Sequence, residues 1–316
     1  MTHRHAMAAW VMASAMLGPL GCSEPSPPAE SVAPADATVP AAVDTAGAAN
    51  AEPMPSELTA DSTLEAIAAH MLAARRTGRS TSALADLFPD LGRARAYEIQ
   101  HAALVAQGED AQVGWKIGWS RVLDPRTPVD PVFGYVLDSD VFSTGDAVPA
   151  TRFVGGSTGI EAEVAVWIDR DLPGPSYRRA EIETAVTRVA PAIEFVSSRI
   201  PMPHPHEHAI ADDVYHAGVV LGEAVDLAGV DLSTEQGRVA INGAERAQGM
   251  TRSIMGRDPV EAVVWLANEL PKYGRHLRAG DFIVTGTVVS PPLATAGDRA
   301  TVTFSTLGTV EVEIAP

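Results

Sequence analysis

The sequence predicts an α+β fold. Two observations carry the prediction: short β-like runs outnumber helical stretches, and the two kinds do not alternate regularly. A doubly wound sheet would need strand and helix in steady succession. Turn residues separate the β-like runs, as expected of a mixed sheet built from short strands.

The elements follow in order. Ser62 and Glu65 stand at capping-box spacing, and Leu64, Ile67, Ala68, Met71 and Leu72 follow with helical period. A second helix is predicted over 93–107, closed by Gly108. Beyond residue 110 the pattern becomes β-like, over 113–117, 161–168, 192–196, 219–221, 282–285, 300–304 and 310–314. Two helices are predicted to interrupt it, near 179–189 and over 259–270. The second is apolar at Val260, Val263, Val264 and Leu266 and stops before Pro271. There is no internal repeat, no Gly-rich phosphate loop and no Cys/His zinc spacing.

The first 56 residues read differently. Arg4 and two histidines precede an apolar run over 6–20, then Gly21 and Cys22, the one cysteine of the chain. That is the layout of a secretory leader over 1–22. It resembles a bacterial lipoprotein signal whose cysteine carries lipid after cleavage, although Pro19 and Leu20 depart from that motif. An ordinary signal, or a misplaced start codon with a cytoplasmic product, are the alternatives. Residues 23–56 are rich in Pro, Ala, Ser and acidic residues and lack large aromatics. They read as a disordered tether with a reach on the order of 30 Å. Together these segments imply location in the cell envelope or periplasm, with the membrane touched only through a lipid on Cys22. Residues 57–110 are expected to form an N-terminal helical region and 111–316 the main folded domain.

The formal charge is −17, from 40 acidic against 23 basic residues. That balance argues against nucleic acid, which needs a basic face to displace counterions, and against docking on anionic lipid.

The run GIEAEVAVWIDRDL is the most informative stretch. Residues two apart in a strand share a face, so Glu161 and Glu163 project together while Ala162, Val164, Val166 and Ile168 face the core. Two neighbouring carboxylates repel unless a cation or basic group lies between them. Glu194, inside the apolar run APAIEFV, is a third carboxylate in a place where an unpartnered charge is rare. Three carboxylates are hard oxygen ligands suited to Mg²⁺, Mn²⁺ or Ca²⁺. The plainer alternative is a solvated strand face with Glu194 in an ion pair. Lys116, between Gly114 and Gly118 in VGWKIGW, either binds an anionic substrate, transfers a proton, or simply reaches solvent. His204, His206 and His208 in PMPHPHEHAIADD read as a mobile, solvated lid ahead of a second metal site.

The runs GWKIGWS, GIEAEVAVWIDRDLP, APAIEFVSSRI, ADDVYHAGVVLG, GRDPVEAVVWLANEL, LRAGDFIVTG and PPLATAGD occur in that order. Together they resemble the 2-keto-4-pentenoate hydratase and 4-oxalocrotonate decarboxylase branch of the fumarylacetoacetate hydrolase superfamily, over roughly residues 60–316. The resemblance implies a mixed β roll or barrel with flanking helices, a homo-oligomer, and a Mg²⁺ or Mn²⁺ site on Glu161, Glu163 and Glu194. It places Lys116 on the active-site lysine and Asp212 on an acidic position near the pocket. It places Thr285, Gly286, Thr287 and Ser290 on the loop that closes over substrate. The implied substrate is a small 2-oxo acid, hydrated at an activated double bond. Decarboxylation and C–C hydrolysis share the same machinery, and an envelope-anchored binding protein with altered catalysis is a third expectation. The sequence departs from the branch at Val132, where an Asp is usual and Asp130 lies two residues upstream, and at Tyr215 and His216, where small residues are usual.

Overall fold

A computed structural model describes residues 57–316. The leader ending at Cys22 and the tether over 23–56 lie outside the described residues. Along the chain the strands are β1 (Gln112–Gly118), β2 (Val132–Leu137), β3 (Val141–Ser143), β4 (Ala147–Pro149), β5 (Ser157–Ile168), β6 (Val186–Val196), β7 (His216–Leu221), β8 (Val225–Asp226), β9 (Gln236–Ile241), β10 (Ala244–Met250), β11 (Phe282–Val284), β12 (Leu293–Thr295), β13 (Arg299–Phe304) and β14 (Gly308–Ala315). The helices are α1 (Leu64–Thr77), α2 (Ala83–Leu87), α3 (Arg93–Gln107), α4 (Arg179–Glu183), α5 (His206–Ala211) and α6 (Pro259–Glu269). Among the described residues no helix is long and apolar enough to cross a membrane.

Two mixed sheets make the body. The larger runs β2-β1-β11-β5-β6-β7-β3, with β12 also on β5 and β8 also on β6. The smaller runs β10-β9-β13-β14-β4 and packs against β5 and β6. The long antiparallel β5–β6 pair is the spine. One face packs inward: Ala162, Val164, Val166 and Ile168 are at most 2% exposed and join the main core with Ile193 and Phe195. The opposite face of the same two strands carries the glutamates. The α+β class stands as read.

Several elements match the sequence closely. Helix α3 occupies 93–107 and is capped at Gly108. Helix α1 starts one residue later than the capping-box reading: Thr63 is the N-cap and accepts from Ala66 N–H, while the Ser62 hydroxyl accepts from Thr59 N–H. The helix expected near 179–189 ends at Glu183, and Val186 already opens β6. Pairing decides this: Val186, Arg188 and Val189 sit opposite Ile168, Trp167 and Val166 of β5, and tertiary pairing overrides a short helical period.

Helices α1 and α3 are tied into the sheet. Gln100 on α3 donates to the carbonyls of Phe133 and Ile210. Arg75 on α1 bridges Asp140 at 2.6 Å and Asp213 at 2.7 Å.

The segment expected as a mobile, solvated lid is ordered in part as α5. His208 is 1% exposed, and its Nε2 meets the Phe88 carbonyl at 3.0 Å. His204 reaches the Tyr215 hydroxyl at 3.2 Å, and His206 stacks on Trp119 with centroids 4.3 Å apart. The histidines pack as ring surfaces and local hydrogen-bond partners. Among the described residues the one grouping of possible metal-ligating side chains lies elsewhere.

Candidate metal centre and active site

Strand register assembles the site. Glu161 on β5 lies directly opposite Glu194 on β6, and Glu163 follows on the same face. One carboxylate oxygen from each of Glu161, Glu163 and Glu194 falls within 4.8 Å of the others. Glu163 and Glu194 are fully buried and Glu161 is half-buried. Lys116 reaches the same face from β1, because it pairs with Val284 of β11, which pairs with Ala165 of β5.

Each buried group has identifiable partners. Lys116 Nζ lies 3.2 Å from Glu194 Oε1 and donates to the Val214 carbonyl at 3.0 Å. That carbonyl is held in place by an unusual turn. Asp213, Val214 and Tyr215 all take positive φ, at 50°, 52° and 64°. Left-handed backbone at consecutive non-glycine residues costs of order 1–3 kcal/mol each and persists only when the surroundings impose it. Here Asp213 Oδ2 accepts from Arg75 and Asp213 Oδ1 from Tyr135 N–H. His216 Nδ1 donates to Glu194 Oε1 at 2.8 Å. Burial holds that imidazole well below its usual pKa, so it is neutral, and a carboxylate at Nδ1 keeps the proton there.

Gly286 N–H donates to Glu163 Oε2 at 2.7 Å. Only glycine fits at that position. Its φ is +107°, and a Cβ there would lie 1.7 Å from Ser120 Oγ. Ser120 in turn donates to the Thr285 carbonyl at 2.9 Å, which pins the turn.

The electrostatics of the three acids follow from burial and from their mutual charge. Burial, then the Glu194 charge, pushes Glu161 up to about 7, and the same causes hold Glu163 well above the carboxylate range. Burial raises Glu194 too, against the pull of Lys116. Burial alone would lower Lys116, but Glu194, Glu161 and Glu163 outweigh it and hold the ammonium above its ordinary value. Two buried oxygens, Glu163 Oε1 and Glu194 Oε2, have no hydrogen-bond partner in the protein. Orphaned carboxylate oxygens in a cluster of three acids fit a hard divalent cation.

Other expected site residues fall as follows. Thr285 is buried and donates from Oγ1 to the Val164 carbonyl, and Thr287 Oγ1 engages Val289 within the same loop. Ser290 Oγ accepts from Arg121 at 3.2 Å. Asp212 does not present a free carboxylate. Its Oδ1 accepts from Arg199 Nε at 2.7 Å and its Oδ2 from Arg199 N–H at 2.9 Å. Burial raises its pKa, while Arg199 opposes the rise. Val132 is buried on β2 opposite Gly118. Asp130 is drawn away to Arg93, 2.7 Å distant, with its side chain 66% exposed, so it does not stand in at the site.

Three contributors were not legible in the sequence: the Val214 carbonyl, the His216 bond to Glu194, and Arg121, whose charge acts on Glu161. Each depends on a turn or a register that residue spacing does not reveal.

The fumarylacetoacetate (FAA) hydrolase C-terminal family matches residues 99–315. The chain belongs to that family. Among its curated relatives are 2-hydroxyhexa-2,4-dienoate hydratase of Comamonas testosteroni, 31% identical over 76% of this chain and 93% of that one, and 2-keto-4-pentenoate hydratase 1 of Dechloromonas aromatica, 32% identical over 79% and 97%. Among solved structures, 4-oxalocrotonate decarboxylase from Pseudomonas putida G7, complexed with magnesium and adipate, superposes with a TM-score of 0.73 at 25% identity, over 79% of this chain and 97% of that one. As in other members of the fumarylacetoacetate hydrolase family, mixed sheets with flanking helices form the body, and the family match begins inside α3.

Proposed function

We propose that the protein is a hydro-lyase dependent on a divalent cation, Mg²⁺ or Mn²⁺, that adds water to 2-hydroxy-dienoate or 2-oxo-enoate acids of the 2-keto-4-pentenoate kind. One observation carries the reading: three carboxylates converge within 4.8 Å, with a lysine ammonium 3.2 Å from one of them. The hydratase names of the relatives support it. Glu161, Glu163 and Glu194 would hold the cation, which would supply Lewis acidity toward a 2-oxo acid.

The chain's own groups do the rest. An ammonium has three donors. Glu194 Oε1 and the Val214 carbonyl engage two on Lys116, which leaves one for a substrate. Lys116 is charged at rest and exchanges that proton with substrate carbon or oxygen during enol–keto tautomerisation. Gly286 N–H and His216 Nδ1–H fix the Glu163 and Glu194 carboxylates, so the cage is oriented before anything binds. Asp212 acts through Arg199, which donates to the Tyr215 and His216 carbonyls; it holds the left-handed turn and does not itself transfer a proton.

The test is direct. The full-length protein with Mg²⁺ is expected to consume the dienol absorbance of 2-hydroxypenta-2,4-dienoate, and Glu163→Gln is expected to abolish this. No loss of absorbance with either cation would refute the reading. The structural likeness to a decarboxylase favours decarboxylation as the second reading; released CO₂ in place of a hydrated product would establish it.

A further inference from the structure

The loop between β11 and β12 touches both sheets. On one side it lies along β5, the strand that carries Glu161 and Glu163. Thr285 N–H donates to the Val164 carbonyl at 3.3 Å, and Val288 N–H donates to the Ala162 carbonyl at 3.0 Å. Between those two bonds, Gly286 N–H meets Glu163 Oε2 at 2.7 Å. The seat of Val288 therefore helps to aim a donor at the carboxylate cage.

On the other side the loop meets the smaller sheet. Gly249 on β10 pairs with Gly237 on β9, and together they leave a notch. Neither has positive φ, so the notch uses their missing side chains and not their backbone freedom. A Cβ on Gly249 would stand 1.8 Å from the Val288 carbonyl oxygen and 2.7 Å from its carbon. A Cβ on Gly237 would stand 2.7 Å from Val288 Cγ2 and 2.9 Å from Phe304 Cε1. Val288, 3% exposed, fills the notch, and its carbonyl also accepts from Arg121 Nη1 at 3.3 Å. The end of β10 is tied down as well. Two residues past Gly249, the buried Thr251 donates to the Glu235 carbonyl from both its N–H and its hydroxyl, at 3.0 Å each. Close-packed contacts of this kind transmit a displacement instead of absorbing it.

We propose that Gly249 is a positioning residue for the metal cage: its missing side chain lets Val288 seat against β10, and through Val288 it sets where Gly286 N–H meets Glu163. The proposal rests on the metal reading of the three glutamates above. Groups that orient a ligand are worth as much as ~10–100-fold in metal affinity. Here the orienting contact reaches from the smaller sheet into the larger one.

The test measures Mn²⁺ affinity of the full-length protein by calorimetry, beside its melting temperature. Gly249→Ala is expected to weaken Mn²⁺ binding at least about tenfold. Val239→Ala serves as the control, because Val239 is fully buried on β9 and makes no part of the notch. It is expected to lower the melting temperature and keep Mn²⁺ affinity within about threefold of wild type. Gly237→Ala is expected to weaken binding through Val288 Cγ2, and adding Val288→Ala, which removes that methyl, is expected to bring affinity back to within about threefold. If Gly249→Ala does not fold, the Gly237 pair decides. Unchanged affinity in Gly249→Ala overturns the proposal. So does an equal loss in Val239→Ala, which is what general loosening of the smaller sheet would give, and so does a Gly237→Ala loss that Val288→Ala fails to restore, which would place the effect at Phe304. A wild type that binds no Mn²⁺ overturns this and the metal reading together. Failure of the hydratase reading shows separately, as absent dienoate turnover with the Gly249 effect on Mn²⁺ intact.

Discussion

Glu161→Gln separates the two states of the carboxylate cage. In the cation-free protein, burial and the Glu194 charge carry the Glu161 carboxyl from 4.5 up to about 7. A carboxyl whose folded value lies above its unfolded value contributes stability that is fully present below about 4.5 and is lost as pH rises through about 7. At about 1.4 kcal/mol per tenfold change, that interval corresponds to roughly 3 kcal/mol. Glu161 is half-buried and partly screened by water, which brings the working figure to roughly 1–2 kcal/mol. Glutamine keeps the shape and carries no charge. Near pH 8 in chelator the variant is therefore expected to melt above wild type by roughly 2–8 °C, at ~2–4 °C per kcal/mol. Near pH 5 the two should melt together. Saturating Mn²⁺ should reverse the order, because the wild type gains the binding free energy of the ion and the variant gains far less. Differential scanning calorimetry at both pH values, with chelator and with Mn²⁺, reads all four states. A variant that melts at or below wild type near pH 8 in chelator, with an unchanged response to Mn²⁺, would refute both the repulsion and the metal site.

Other expectations follow from the same contacts. Lys116→Met should lower turnover of the dienoate by at least ~100-fold, the usual contribution of a positioned proton donor, while metal affinity measured by calorimetry is kept or raised, because the cage loses its internal cation. Metal uptake should release protons, since the three carboxyls titrate above their ordinary range without a cation; affinity should rise between about pH 6 and pH 8, and the calorimetric heat should differ between two buffers of unequal ionisation enthalpy. Arg75→Leu leaves Asp140 and Asp213 buried without their shared partner and should cost about 3–5 kcal/mol in denaturant unfolding. If Cys22 carries a lipid, Cys22→Ser should move the protein from the membrane fraction to the soluble fraction and abolish fatty-acid labelling; labelling that survives would exclude that anchor.

Much of the site was readable because it rests on period-two alternation. Glu161 and Glu163 share a face by spacing alone, and Glu194 stood out because a carboxylate in an apolar run needs a partner. Helix α3 was readable to the residue because Gly92 and Gly108 punctuate it. Other parts depend on distant pairing. Arg121 meets Ser290 across 169 positions, and nothing local signals that. Asp212 is a carboxylate near the site in sequence terms, but Arg199 takes both of its oxygens, a match set by the fold of the turn. The β9–β10 hairpin did carry a local signal that went unread: Asn242-Gly243, both at positive φ, is the turn that reverses such strands.

Arg75 links regions that sequence comparison would separate. The family match starts at residue 99, and α1 lies wholly before it. Yet the guanidinium of this helix holds Asp213, the next residue along presents the carbonyl that receives Lys116, and Lys116 faces the glutamates. Two steps of bonding thus join an upstream helix to the reacting centre. The smallest working unit is therefore longer than the family match: a fragment cut at residue 99 would keep every ligand and the lysine, yet lose the tie that holds the lysine's acceptor in its strained turn.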